Sequence, residues 1–165
     1  MEPQYVQVGD QRIAYYESTG KGPAVIFVHG NSLSALNFMP QIESALGEKF
    51  RLIGLDLPGH GCSGPAIHPE ETYTLPGLAG IVVSFVKELS IGKAVFVGCS
   101  LGGHILLEAS DRLNAHGIMI FGTPPLDNPL SIDGIFLLPE SLVASLYKKH
   151  LSYDEIDALT TAFIK

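Results

Sequence analysis

The chain has no tryptophan, two cysteines and three methionines, and only 16% of its 165 residues are charged. Each shortage excludes something. Cys62 and Cys99 are too few for a disulfide framework and lack metal-site spacing, so they read as two reduced thiols of a cytoplasmic protein. Basic residues are scarce, with 10 Lys and Arg against 17 Asp and Glu, a net charge of −7. The acidic excess is spread evenly and leaves no basic stripe to displace counterions from phosphates, so nucleic acid is not an expected partner. The uncharged stretches 72–86 and 113–126 hold 15 and 14 residues, short of the roughly 20 that cross a bilayer, so no membrane span is expected. The opening Met1-Glu2-Pro3-Gln4 is polar and acidic, unlike a signal peptide. What is present is apolar material for a core: 46% hydrophobic residues, punctuated by 18 Gly and 11 Pro. That length and composition fit one domain of ordinary size.

Apolar runs bounded by turn residues set out the architecture. Residues 5–8 and 12–16 flank Gly9-Asp10 as a hairpin. Ala24-Val25-Ile26-Phe27-Val28 is apolar on both faces, as in a central strand of a helix-covered parallel sheet. Similar runs at 50–55, 94–98 and 117–122 predict further strands. Between them, apolar residues at helical spacing predict helices around Ile42 and Leu46, over 75–89 and over 105–113. Strands alternating with helices make the fold class α/β: a mostly parallel sheet of about six strands with helices on both faces. After Thr123-Pro124-Pro125 the pattern is helical only. Pro139-Glu140 opens a segment with Leu142, Val143, Leu146 and Tyr147. Ser152-Tyr153-Asp154-Glu155 reads as a capping box, with Leu151 and Ile156 as its hydrophobic staple and Leu159 and Phe163 on the same face as Ile156. The expected division is therefore 1–126 and 127–165.

The chemistry concentrates at three turns. Gly98-Cys99-Ser100-Leu101-Gly102-Gly103 lies where an apolar strand meets a helix beginning near Leu101. A sharp strand-to-helix turn brings backbones together, which calls for glycine. It also holds the serine at strained dihedrals above a helix N-terminus. Glycines at such a turn can also serve packing alone. His29-Gly30 and the loop Asn31-Ser32-Leu33-Ser34 come directly after the central strand. Asp56-Leu57-Pro58-Gly59-His60-Gly61-Cys62-Ser63 closes the next. In this order and spacing, the three motifs resemble the α/β-hydrolase superfamily, in its branch of serine esterases, lactonases, C–C hydrolases and haloperoxidase-like perhydrolases. The resemblance is dense over 1–126 and corresponds to the N-terminal portion of the fold. Residues 127–165 resemble the first helices of an inserted cap.

The resemblance implies acyl-enzyme chemistry on a small ester, lactone or related carbonyl substrate. Ser100 would be the nucleophile, the backbone N–H groups of Asn31 and Leu101 the oxyanion hole, and no metal or organic cofactor is implied. Serine rather than aspartate at the turn disfavours dehalogenase and epoxide hydrolase chemistry. In the family, the catalytic histidine comes after the last strand and the acid usually after the seventh. Both would fall beyond residue 165, so an incomplete hydrolase with little or no turnover is expected. His29 is expected to be structural, His60 to brace its loop and His104 to point along its helix. His68 and His116 are placed in loops and His150 in the cap segment. Asp127 is a poor substitute for the acid. Asp56 is expected to cap its own turn, Asn37 to start a helix and Cys99 to face the core. Without a seventh strand the apolar 118–121 is an open edge, and the sheet face carrying the first helix stays partly bare, which predicts self-association. A second reading keeps the fold without the chemistry, as a degenerate or receptor-like binding module.

Overall fold

A computed structural model describes residues 1–124 and 152–156, which fall in two compact units, Met1–Thr123 and Pro124–Lys165. Among the described residues of the first unit, the apolar runs form a six-stranded sheet. Its strands are β1 (Gln4–Val8), β2 (Gln11–Glu17), β3 (Ala24–Val28), β4 (Arg51–Leu55), β5 (Ala94–Cys99) and β6 (Ala115–Phe121). Their spatial order is β1-β2-β4-β3-β5-β6. The β1–β2 hairpin and the β2–β4 pair are antiparallel; β4, β3, β5 and β6 run parallel. Gly9, at φ 60°, makes the hairpin turn.

The two-sided apolar pattern of β3 has its reason in the packing. Ile26 and Val28 enter a cluster with Phe85, Phe96 and Ile105, beneath the helices α4 (Leu75–Glu88) and α5 (Leu101–Glu108). Val25 and Phe27 face a second cluster containing Phe38, Ile42 and Leu52. Burying each such aliphatic or aromatic side chain is worth about 1.5–3 kcal/mol, so both faces need a cover. In α4, the Gly77 N–H donates to the Thr74 hydroxyl at 3.0 Å, and Pro76 stands in the first turn, where a missing N–H costs nothing. Leu78, Val82, Phe85 and Val86 form its buried stripe.

Three departures from the sequence pattern have local causes. The helix predicted around Ile42 and Leu46 is split into a 3₁₀ turn (Ala35–Phe38), α1 (Met39–Ile42) and α2 (Ala45–Lys49). Ser44 breaks it: its hydroxyl donates to Gln41 O at 2.7 Å and accepts the Leu46 N–H at 3.1 Å, replacing the helical ladder. A short helix, α3 (Pro69–Thr72), appears where none was predicted. His116, assigned to a loop by its sequence, lies within β6. Ala94 pairs with Ala115 and Val95 with Gly117, so His116 is the extra residue of a bulge.

In the second unit, the Ser152–Glu155 capping box is formed. The Ser152 N–H donates to Glu155 Oε2 at 2.9 Å and the Glu155 N–H to Ser152 Oγ at 3.3 Å, opening a helical turn over 153–156. The helix predicted from Pro139, the staple residue Leu151, the residues Leu159 and Phe163, and Asp127 and His150 lie outside the described residues. Among the described residues, no helix is long and apolar enough to cross a membrane.

At the β6 edge of the sheet Met119 and Phe121 are 60% and 45% exposed. They join Phe27, Phe38, Phe50 and Val97 in lining an apolar groove of about 390 Å³ on the face opposite α4 and α5. Apolar surface was expected on this face, and the groove supplies it.

Candidate active site

The parallel strands deliver their motifs to one place. Val28 pairs with both Leu55 and Gly98, and Cys99 with Phe121. The residues next in chain, His29-Gly30, Asp56, Ser100 and Gly122-Thr123, therefore gather at the carboxyl end of the sheet, where open α/β sheets bind ligands. Ser100 occupies the turn between β5 and α5 at φ 52°, ψ −117°. A non-glycine residue held there stores about 1–3 kcal/mol of strain. The glycines around it answer to close approaches. A Cβ on Gly98 would stand 2.7 Å from the backbone of Gly102 and Gly103, and one on Gly102 would strike the carbonyl oxygens of Val28 and His29. The Ser100 N–H donates to Phe121 O at 2.9 Å, and Ser100 O accepts the Gly103 N–H at 2.9 Å and the Thr123 hydroxyl at 3.1 Å. No described side chain is hydrogen-bonded to Ser100 Oγ, which sits at the positive end of α5.

The loop after β3 lies against this turn: a Cβ on Gly30 would be 3.0 Å from Ser100 Cβ. Gly30 O accepts the Leu33 N–H at 3.3 Å and a bond from His29 Nδ1 at 2.7 Å. A trans peptide sets its N–H opposite its C=O, so these two anchors turn the Asn31 N–H the other way. Neither the Asn31 nor the Leu101 N–H is hydrogen-bonded to a described residue. Leu101 and Asn31 thus come from two different turns beside Ser100.

His29 is fully buried. Its Nε2 accepts the Leu57 N–H at 3.0 Å, which places the proton on Nδ1 for donation to Gly30 O. Burial is the main cause holding its pKa below the ordinary histidine value. It is a neutral strut between the β3 and β4 ends, with no nitrogen left to act as a base. Asp56, also fully buried, accepts the Cys62 N–H at 2.8 Å, the turn cap expected of it. Its other oxygen accepts the Ala35 N–H at 2.7 Å, a tie across loops that the sequence did not disclose. His60 Nδ1 bonds Pro58 O at 3.0 Å and braces its loop, while His68 faces Asp10 at 3.0 Å on the surface. His104 lies half-buried in α5. Asn37 closes the 3₁₀ cap, its side-chain oxygen accepting the Ser34 N–H at 3.2 Å. Cys99 packs on the Phe27–Phe38 cluster, where burial pushes its thiol pKa up; Cys62 is exposed, and both are free thiols. Thr123 drew no role from its sequence context, yet it is bonded to the Ser100 carbonyl.

Comparison with known proteins adds relatives to this geometry. The sequence profile of a family described as alpha/beta hydrolase fold matches residues 23–123. The chain is 33% identical over 105 residues to the dihydrolipoyllysine-residue acetyltransferase component of an acetoin cleaving system from Cupriavidus necator, covering 64% of this chain and 27% of that protein. It is 34% identical over 98 residues to a pimeloyl-[acyl-carrier protein] methyl ester esterase of Nitrosospira multiformis, covering 59% and 36% respectively. Among solved structures, the N-acyl homoserine lactonase AidH, complexed with N-butanoyl homoserine, is similar at a TM-score of 0.75 and 34% identity, over 97% of this chain and 64% of that one. The chain spans less than two thirds of the length of each of these relatives.

Proposed function

The chain belongs to the α/β hydrolase fold family, and from that membership we propose that it carries the nucleophile half of a serine hydrolase. Ser100 Oγ attacks the carbonyl of a small ester or lactone, and the Asn31 and Leu101 amides take up the oxyanion. The observation that carries this reading is the strained Ser100 at a strand–helix turn, pressed against the Gly30 loop, with the Asn31 and Leu101 N–H groups of these two turns bonded to no described residue. The likeness to an N-acyl homoserine lactonase makes an acylated lactone the first substrate to try. The free thiols Cys62 and Cys99 suit a cytoplasmic setting, and the apolar β6 edge suits association of the chain with itself.

The proton route has no support among the described residues: nothing is bonded to Ser100 Oγ, and His29 has both nitrogens engaged. On the reading proposed, the described residues alone would turn substrate over orders of magnitude more slowly than a complete triad, with a residue of reactivity from the oxyanion site. The same observation favours the second reading, a non-catalytic binding module. A fluorophosphonate probe separates the two. Slow labelling mapped to Ser100 and abolished in Ser100→Ala supports the hydrolase reading; a chain that stays unlabelled while remaining folded supports the binding module.

A further inference from the structure

We infer that Thr123 is a positioning residue for Ser100 and for the Leu101 amide, a role that rests on the serine-hydrolase reading. Thr123 comes after Gly122, a turn residue at φ 58°, just past the end of β6. Its Oγ1 lies 3.1 Å from Ser100 O and 3.2 Å from Phe121 O. Phe121 O itself accepts the Ser100 N–H at 2.9 Å. Ser100 is thus tied to the end of β6 on both sides, directly through its N–H and through the Thr123 hydroxyl at its C=O. The N–H belongs to the peptide before Ser100 and the C=O to the peptide after it. Two such ties hold φ and ψ together, and a strained conformation persists only where its surroundings over-determine it.

The peptide after Ser100 also carries the Leu101 N–H. Fixing its carbonyl fixes that amide's direction, as His29 and Leu33 do for Asn31 through Gly30 O. A separate feature points to the same clamp. A Cβ on Gly103 would run into Thr123 Oγ1, Cβ and Cγ2. The second glycine of the Gly102-Gly103 pair is the seat on which the threonine rests, and β-branching leaves Thr123 few rotamers with which to leave it.

The test uses Thr123→Val, which keeps the shape and loses the hydroxyl, and Thr123→Ser, which does the reverse. In the full chain, fluorophosphonate labelling of Ser100 is resolved into its maximal rate and its half-saturating probe concentration. Thr123→Val is expected to lower the maximal rate about fivefold, the scale of one neutral hydrogen bond, at an unchanged half-saturation. Thr123→Ser is expected to stay within about twofold of wild type. A role in packing alone gives the opposite order, with Val intact and Ser impaired, and overturns the inference. Amide hydrogen exchange at Ser100 reads the clamp without chemistry: it quickens in Thr123→Val and not in Thr123→Ser. Unchanged exchange in Thr123→Val overturns the clamp, whereas a folded wild type that never labels overturns the serine reading and leaves exchange to decide the clamp. Gly103→Ala, which displaces Thr123 with its hydroxyl intact, is expected to reproduce the Thr123→Val pattern.

Discussion

Replacing Asp56 with alanine removes one acceptor from two backbone donors in different loops. The Ala35 N–H, 2.7 Å from Oδ1, belongs to a residue with no solvent exposure. Once stranded it has no water to turn to, a loss of about 2–3 kcal/mol for a donor previously bonded to a carboxylate. The Cys62 N–H, 2.8 Å from Oδ2, belongs to an exposed residue and regains solvent, a loss of about 1 kcal/mol. The total is about 3–4 kcal/mol out of the roughly 5–15 that hold a domain together. Asp56→Asn keeps one acceptor and sets an NH₂ against the other donor, so it should lose about 2 kcal/mol. Urea titration at neutral pH, monitored by circular dichroism, measures both. A loss under about 1 kcal/mol for Asp56→Ala at an unchanged m-value would mean that solvent already competes for these bonds, and would refute the tie. Because Ala35 begins the 3₁₀ turn just after the Asn31 loop, labelling of Ser100 should also slow in folded Asp56→Ala.

Gly98→Ala should destabilise by about 1–3 kcal/mol in a thermal melt, because its Cβ would meet Gly102 and Gly103 backbone that cannot rotate aside; a wild-type melt would contradict the close approach. His29 makes the fold acid-sensitive. Its folded pKa lies below the ordinary 6.5, so below that value the unfolded chain binds a proton that the folded chain refuses. This contribution is complete above the unfolded pKa and is lost as pH falls toward the folded one. Urea midpoints should accordingly drop on acidification through 6.5, with a shallower drop in His29→Gln; equal slopes would remove His29 as the cause. The exposed Met119 and Phe121 at the β6 edge predict that the isolated chain elutes from size-exclusion above its monomer mass, and that Met119→Lys restores the monomer. A wild type that is monomeric at every concentration contradicts this.

Strand positions and the strand–turn–helix at Ser100 were legible because they are local. A β-branched run buried on two faces, or glycines on either side of a serine, leaves its mark within a few residues. What stayed hidden was made by topology. The Asp56–Ala35, His29–Leu57 and Thr123–Ser100 bonds each join turns brought together only when β3, β4, β5 and β6 align in register. Asp56 looked like the cap of its own turn, and it is one, but its second oxygen serves a loop from another strand. His116 carries no strand signal in the sequence because a bulge has no apolar signature. The broken helix near Ile42 and Leu46 turned on one hydroxyl, Ser44, whose choice between solvent and backbone depends on its neighbours.

If Ser100 is a nucleophile held in strain beside two oxyanion amides, peptide mapping after fluorophosphonate treatment of the folded chain tests it most directly. The expected result is a single slow phosphonylation at Ser100, absent in Ser100→Ala and slower in Thr123→Val. A folded chain that takes up no probe at Ser100, or takes it up equally at other serines, would contradict that role.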